Sequence, residues 1–308
     1  MSKNTAAILL LFLLAGIWGS SFILMKLAMY TSDGSTIFND TQVASLRMLI
    51  ASLVLIPVSI VSIRKIKQKK DFLFLGAVGV FGNFIPAFLF TYAETSLSSG
   101  YAGMLNSFTP VFALLIGSFF FKQRMTLIQV TGIGIAFGGI VLLMKAGNSL
   151  TGGASFPHVL AVIAATCCYG ISLNVIKHRL GHLSSMQITS LSFGLLLVPG
   201  LIACFLFKTP AVFEQSEHAW KGLGYILTLS IVGTAIALVI FNRVIAISST
   251  LFASSVTYLI PIVAVILGTL YGEELNLLQV ISMLVVLIGV FVANYLQKLV
   301  AKYQKRSA

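Results

Sequence analysis

Ten stretches of about 20 apolar residues divide the chain, at roughly 6–29, 41–63, 72–92, 96–121, 127–144, 157–177, 185–207, 220–242, 249–272 and 277–297. A helix needs about 20 residues to cross a hydrocarbon core, where only helices and closed barrels satisfy their own backbone groups. Barrel strands run about 10 residues with strict alternation, which these stretches lack, so length decides for helix. With 58% of 308 residues hydrophobic and 9% charged, the chain carries too little polar cover for a soluble globule. The first run is too long for a signal peptide and has no small-x-small cleavage site, so it is read as the first helix. An all-α membrane protein with ten transmembrane helices is expected, in the inner or plasma membrane.

The net charge of +12 reads as a topology signal rather than as a nucleic-acid footprint. With the N-terminus in the cytoplasm, 15 of the 20 basic residues fall inside, including Arg64, Lys65, Lys67, Lys69, Lys70 and the tail residues Lys298, Lys302, Lys305 and Arg306. Loops rich in Lys and Arg stay cytoplasmic, so N-in, C-in is expected, with some attraction to anionic lipid headgroups. Cys167, Cys168 and Cys204 lie inside spans without metal-ligand spacing and read as buried thiols. His178 and His182 stand at i, i+4 with no third ligand in view, so neither metal nor cofactor is expected. The glycines of 132–139 lack the strand context of a dinucleotide site and read as close helix packing.

The segment Trp18-Gly19-Ser20-Ser21-Phe22, followed by Lys26, returns 151 residues later as Tyr169-Gly170-Ile171-Ser172-Leu173 with Lys177. The same offset pairs Gly82 with Gly233, Phe90 with Phe241, Pro110 with Pro261 and Gly117 with Gly268. After a one-residue slip, Gln129 pairs with Gln279 and Gly139 with Gly289. Asn39-x-x-Gln42, Thr126-x-x-Gln129, Ser184-x-x-Gln187 and Asn276-x-x-Gln279 open the second and fifth helices of each copy as capping boxes. Two repeats are therefore expected, at 1–150 and 151–308. Five helices per copy make them antiparallel in the bilayer, the inverted arrangement common among secondary transporters.

The chain resembles the ten-helix EamA-type branch of the drug/metabolite transporter superfamily. The likeness rests on the aromatic-Gly-Ser-x-Phe of helix 1 with its Lys, Leu46-Arg47 in helix 2, Pro110 and Pro261 in helices 4 and 9, and the helix 4–5 and 9–10 connections. It covers the whole chain. It implies that the first four helices of each half enclose a central pathway while the fifth lies outside, and that the solute is an amino acid, another metabolite or a toxic compound. One departure shows: the connection after helix 4 often holds an acid, and this chain has Gln123 there, whereas the second copy keeps Glu273 and Glu274. That connection reads as packing and topology.

Trp18, Ser21 and Met25 share one helical face, partly repeated by Tyr169 and Ser172; they either line a path for solute or pack against neighbours beside the small residues Gly16 and Gly19. Lys26 lies about one turn from the outer end and can snorkel. Arg47 lies about 10 Å into its span, where an unpaired charge is costly. It either binds a carboxylate or phosphate through its planar fork or braces carbonyls at helix ends. Asn83, Asn106, Thr109, Thr234, Ser254, Thr257 and Tyr258 are polar positions deep in spans. Pro86, Pro110 and Pro261 are candidate gating kinks, while Pro57 and Pro199 read as static bends. No acid stands mid-span, which disfavours a lipophilic-cation carrier and leaves proton coupling without an obvious carrier.

These residues point to a secondary transporter, an exporter of small polar metabolites such as amino acids, working by alternating access as a monomer or weak homo-oligomer. A passive channel and an exporter of drug-like compounds are the alternatives. A membrane enzyme would need a nucleophile, a metal cluster or an acid pair, and none is visible.

Overall fold

The computed structural model describes residues 3–66, 68–146, 155–248, 252, 253 and 255–293. Its principal helices are α1 (Lys3–Met29), α2 (Asp40–Ile63), α3 (Asp71–Glu94), α4 (Ser99–Phe121), α5 (Leu127–Ala146), α6 (Ser155–Arg179), α7 (Ser185–Leu206), α8 (219–247), α9 (Val256–Leu270) and α10 (Leu277–Phe291). Strand pairing among the described residues amounts to an isolated bridge between Tyr30 and Thr36. Eight helices, α1 to α8, are long and apolar enough to cross a membrane; α9 and α10 are shorter, at 15 residues each. At 1.5 Å per residue each short helix spans about 22 Å. The ends of the ninth and tenth apolar stretches, Ser254, Lys67 and the basic tail lie outside the described residues.

The four polar pairs do cap their helices. The Asn39 side chain accepts the Gln42 N–H at 2.8 Å while Gln42 accepts the Asn39 N–H at 2.9 Å. Ser184 with Gln187 and Asn276 with Gln279 repeat both bonds, and Thr126 with Gln129 does so at 3.0 and 3.4 Å. Each pair satisfies two backbone donors that water would otherwise have to reach.

Helix pairing follows one pattern throughout. α2 packs on α7 and α5 on α10, while α1 packs on α8 and α9 and α6 packs on α3 and α4. Exchanging the first five helices for the last five turns each of these pairings into another of the set. The local irregularities match as well: α3 turns π-helical at Val80–Phe84 and α8 at Ile231–Ile236. α4 breaks at Ser107 and Phe108, where a continuous kinked helix is expected from sequence. Pro110 has no N–H for the Asn106 carbonyl, and the Thr109 hydroxyl takes that carbonyl instead at 2.9 Å.

α5 and α10 meet glycine to backbone. A Cβ on Gly132 would collide with Ala293, and one on Gly289 with Ala136. Their outer faces carry exposed Leu127, Val141, Leu277 and Leu284, the apolar surface that lipid tails require. Close approach of small residues is a principal source of helix association in lipid. Gly289→Leu therefore lowers stability by about 1–3 kcal/mol, read as a lower apparent melting temperature of detergent-purified protein. Gly134→Leu, whose added Cβ meets open space, leaves the melting temperature unchanged.

Candidate functional site: a cavity between the two halves

A cavity of about 610 Å³ lies between the halves, lined by α1 to α4 and α6 to α9, with no wall residue from α5 or α10. Trp18, Ser21, Arg47, Asn83, Asn106, Thr109, Tyr169, Ser172, Thr234, Thr257 and Tyr258 all stand on its wall, together with Pro110. Pro86 and Pro261 are buried and are not wall residues. Thr189 and Phe193 of α7 also line it; neither belongs to a motif, and the larger alignment gap between α2 and α7 hid them.

The π turns shape the wall, because a π turn displaces a carbonyl from its usual helical partner. The Trp18 indole N–H donates to Gly233 O at 3.0 Å, and the ring lies 5.6 Å from Phe241. Across the cavity Tyr169 stacks on Phe90 at 5.9 Å, the same pairing 151 residues displaced. Gly233 faces Ser21 and Gly82 faces Ser172, so close that a side chain at Gly82 would strike the Ser172 hydroxyl. Asn83 and Thr109 are partly satisfied by their own helices, through Val78 O at 3.5 Å and Asn106 O. They offer remaining capacity to a solute.

Arg47 is the one charged side chain on the wall among the described residues. Its Nη1 meets Met25 Sδ at 3.8 Å, and its Nε is buried without a hydrogen-bond partner. No carboxylate pairs with it, and its guanidinium braces no carbonyl among the described residues. The guanidinium is half-buried on the wall, and leaving its Nε buried without a partner costs about 1–3 kcal/mol.

The wall residues Val78, Ile176, Ile188 and Thr189 carry the cavity toward the Lys177 end. At the other end Phe22 meets Phe90 edge-on at 5.8 Å, and beyond them lies an ion pair. Lys26 does not simply snorkel: its Nζ stands 2.7 Å from Glu273 Oε1. Glu273 also accepts the N–H groups of Ser99 at 2.8 Å and Gly100 at 3.3 Å. Burial alone would raise the Glu273 carboxyl, but Lys26 and the Ser99 N–H outweigh it and hold it below the ordinary value. Gly272, at φ +84°, turns the chain so that the Glu273 N–H reaches Gly268 O at 2.9 Å.

The Lys177 end repeats this geometry without the acid. Lys122, at φ +53°, turns the chain so that the Gln123 N–H reaches Gly117 O at 3.1 Å. Lys177 Nζ then donates to Gln123 Oε1 at 3.3 Å. The Gln123 departure thus falls on a contact between elements, one more than packing and topology suggested: one end is fastened by a salt bridge, the other by an amide. His178 meets Gln123 at 2.7 Å and His182 meets Asp71 at 3.0 Å. They do not converge, and no group of three metal-ligating side chains occurs among the described residues.

An apolar helical bundle with a partly polar cavity walled from both halves defines a membrane transport protein. The chain belongs to the EamA-like transporter family, whose model matches it twice, over residues 5–145 and 156–295. It is 27% identical to an uncharacterized transporter of Archaeoglobus fulgidus, covering 89% of this chain and 94% of that one. It is 25% identical to the uncharacterized inner membrane transporter YedA of Escherichia coli, covering 91% and 88%. It is 24% identical to a probable amino-acid metabolite efflux pump of Salmonella typhimurium, covering 90% of each. The protein is a multi-pass transporter of the plasma membrane.

Because the folded state depresses the Glu273 carboxyl, the Lys26–Glu273 contact contributes fully above the ordinary carboxylate range and is lost as pH falls through the depressed value. Glu273→Gln should cost about 1.5–3 kcal/mol at neutral pH. The difference from wild type should shrink on acidification, as measured by thermal unfolding of detergent-purified protein.

Proposed function

We propose that this protein is a secondary transporter exporting small polar metabolites such as amino acids, by alternating access through ten spanning helices arranged as two inverted repeats. One observation carries the reading: the cavity is walled by matched residues of both halves, Trp18 with Tyr169, Ser21 with Ser172, Phe90 with Phe241 and Gly82 with Gly233. If the halves are alike and antiparallel, exchanging their conformations closes one end and opens the other around the same wall. The Lys177 end is then cytoplasmic, as the placement of basic residues favours. A passive channel fits less well, because Phe22, Phe90 and the Lys26–Glu273 pair stand between the cavity and one end.

Solute recognition follows from the wall. Arg47 takes the carboxylate in a charge-assisted hydrogen bond, which relieves its own unpaired state. Trp18, Tyr169, Phe90 and Phe241 offer aromatic faces to the ammonium and the side chain. Ser21, Asn106, Thr109 and Ser172 supply short polar contacts. The probable amino-acid metabolite efflux pump among the relatives supports the substrate class.

Protein reconstituted in liposomes should catalyse counterflow of amino acids. Arg47→Ala should cut the rate about tenfold to a hundredfold, the equivalent of a charge-assisted bond worth about 1.5–3 kcal/mol. It should also abolish the preference for an amino acid over its carboxamide. Folded protein that moves no member of a broad panel of amino acids and related metabolites contradicts the proposal, as does an Arg47→Ala variant with wild-type preference.

A further inference from the structure

The Lys26 end holds one carboxylate more than its ammonium can neutralise. Glu94, the last residue of α3, is 1% exposed and lies in the field of both Lys26 and Glu273. Lys26 makes its ion pair with Glu273 and not with Glu94. The Glu94 Oε2 accepts the Ser99 hydroxyl at 3.2 Å, and Oε1 is buried with no hydrogen-bond partner.

Helix ends separate the two acids further. Glu273 sits on the free N–H groups that open α4, the positive end of a helix dipole. Glu94 ends α3, where carbonyls point outward and a negative charge is disfavoured. The charged groups facing Glu94 are Lys26 from α1 and Glu273 from the α9–α10 turn, with the Ser99 hydroxyl from α4. On the α6 side His158 stacks on Tyr92, two residues before Glu94, at 4.5 Å. With both acids ionised, two negative charges would share one ammonium, and the buried one, Glu94, would have no ion-pair partner; a buried charge without a partner is among the costliest arrangements a protein can hold.

We infer that Glu94 is a proton-binding site coupled to this end of the bundle: its carboxyl holds a proton while Lys26, Glu273 and Ser99 are together, and releases it to water when they part. The only bond broken is the carboxyl O–H, and solvent receives the proton. The protonation follows from the closed geometry alone; its link to transport rests on the alternating-access reading. Parting of this end then releases a proton, so acidity on this side opposes it, by up to about tenfold per pH unit once the opened carboxyl would be ionised. That gives the exporter a sensitivity to the proton activity on the side where solute leaves.

Infrared spectroscopy of the full-length protein in detergent at neutral pH tests the site without reference to transport. The expected result is a protonated-carboxyl band that is absent in Glu94→Gln. In Glu273→Gln, where Glu94 becomes the sole acid beside Lys26, the band should persist only to a lower pH than in wild type. A wild-type protein without such a band, or a band that survives in Glu94→Gln, overturns the inference. In proteoliposomes, net efflux should slow as the Lys26 side is acidified and lose that dependence in Glu94→Gln. The same pH dependence in both proteins overturns the coupling. A correct infrared result from protein that transports nothing would leave the proton site standing and remove the proposed function instead.

Discussion

Lipid offers no water to an unpaired polar group, and the rest of this structure depends on that constraint. Backbone donors at helix starts are capped by Asn, Ser or Thr with a Gln three residues on. The carbonyl freed by Pro110 is taken by Thr109, and a carbonyl of the α8 π turn is taken by Trp18. Where partners run out, at Arg47 and Glu94, the unmet groups mark the places where a solute and a proton fit. A buried donor or acceptor left without a partner, as Arg47 Nε and Glu94 Oε1 are, costs about 1–3 kcal/mol, so their occupants follow from their chemistry.

The halves are alike in frame and unlike in fastening. α1 and α6 carry the same aromatic, Gly and Ser positions, approach the opposite half by the same close contacts, and end in equivalent lysines. Gly19 presses on Val263, and Gly170 on Phe112 and Ala113. Yet Lys26 meets a carboxylate and Lys177 an amide. A salt bridge backed by two backbone N–H groups holds better than an exposed ammonium–amide hydrogen bond. The difference in strength agrees with the cavity reaching toward the Lys177 end, since the weaker fastening lies where the wall extends.

Much of this was legible in the sequence because lipid imposes length and type. Eight of the ten apolar runs give helices long enough to span and two give shorter ones, and the Ser, Thr and Asn caps with their glutamines appear where read. Of the residues picked as polar positions within spans, all but Ser254, which lies outside the described residues, stand on one cavity, since a polar side chain there has few places to go. What stayed hidden was pairing at a distance. Lys26 and Glu273 are 247 residues apart, so Lys26 looked like a snorkelling lysine and Glu273 like a loop acid. Glu94 stands at a helix end, and its neighbours Lys26, Ser99 and Glu273 come from three other elements. The π turns left no trace beyond Gly82 and Gly233, and Thr189 and Phe193 carry no pattern at all.

The central claim is that two ends of one cavity open in turn. Spin labels at the exposed positions Ser96 and Glu274 span the Lys26 end, and labels at Arg124 and Ala246 span the Lys177 end. Pulsed electron resonance distances on each pair, taken in nanodiscs with and without a transported amino acid, read the two ends separately. The account predicts opposite changes, the first pair lengthening as the second shortens. Two pairs that lengthen together, or that do not change while solute is being transported, would contradict it.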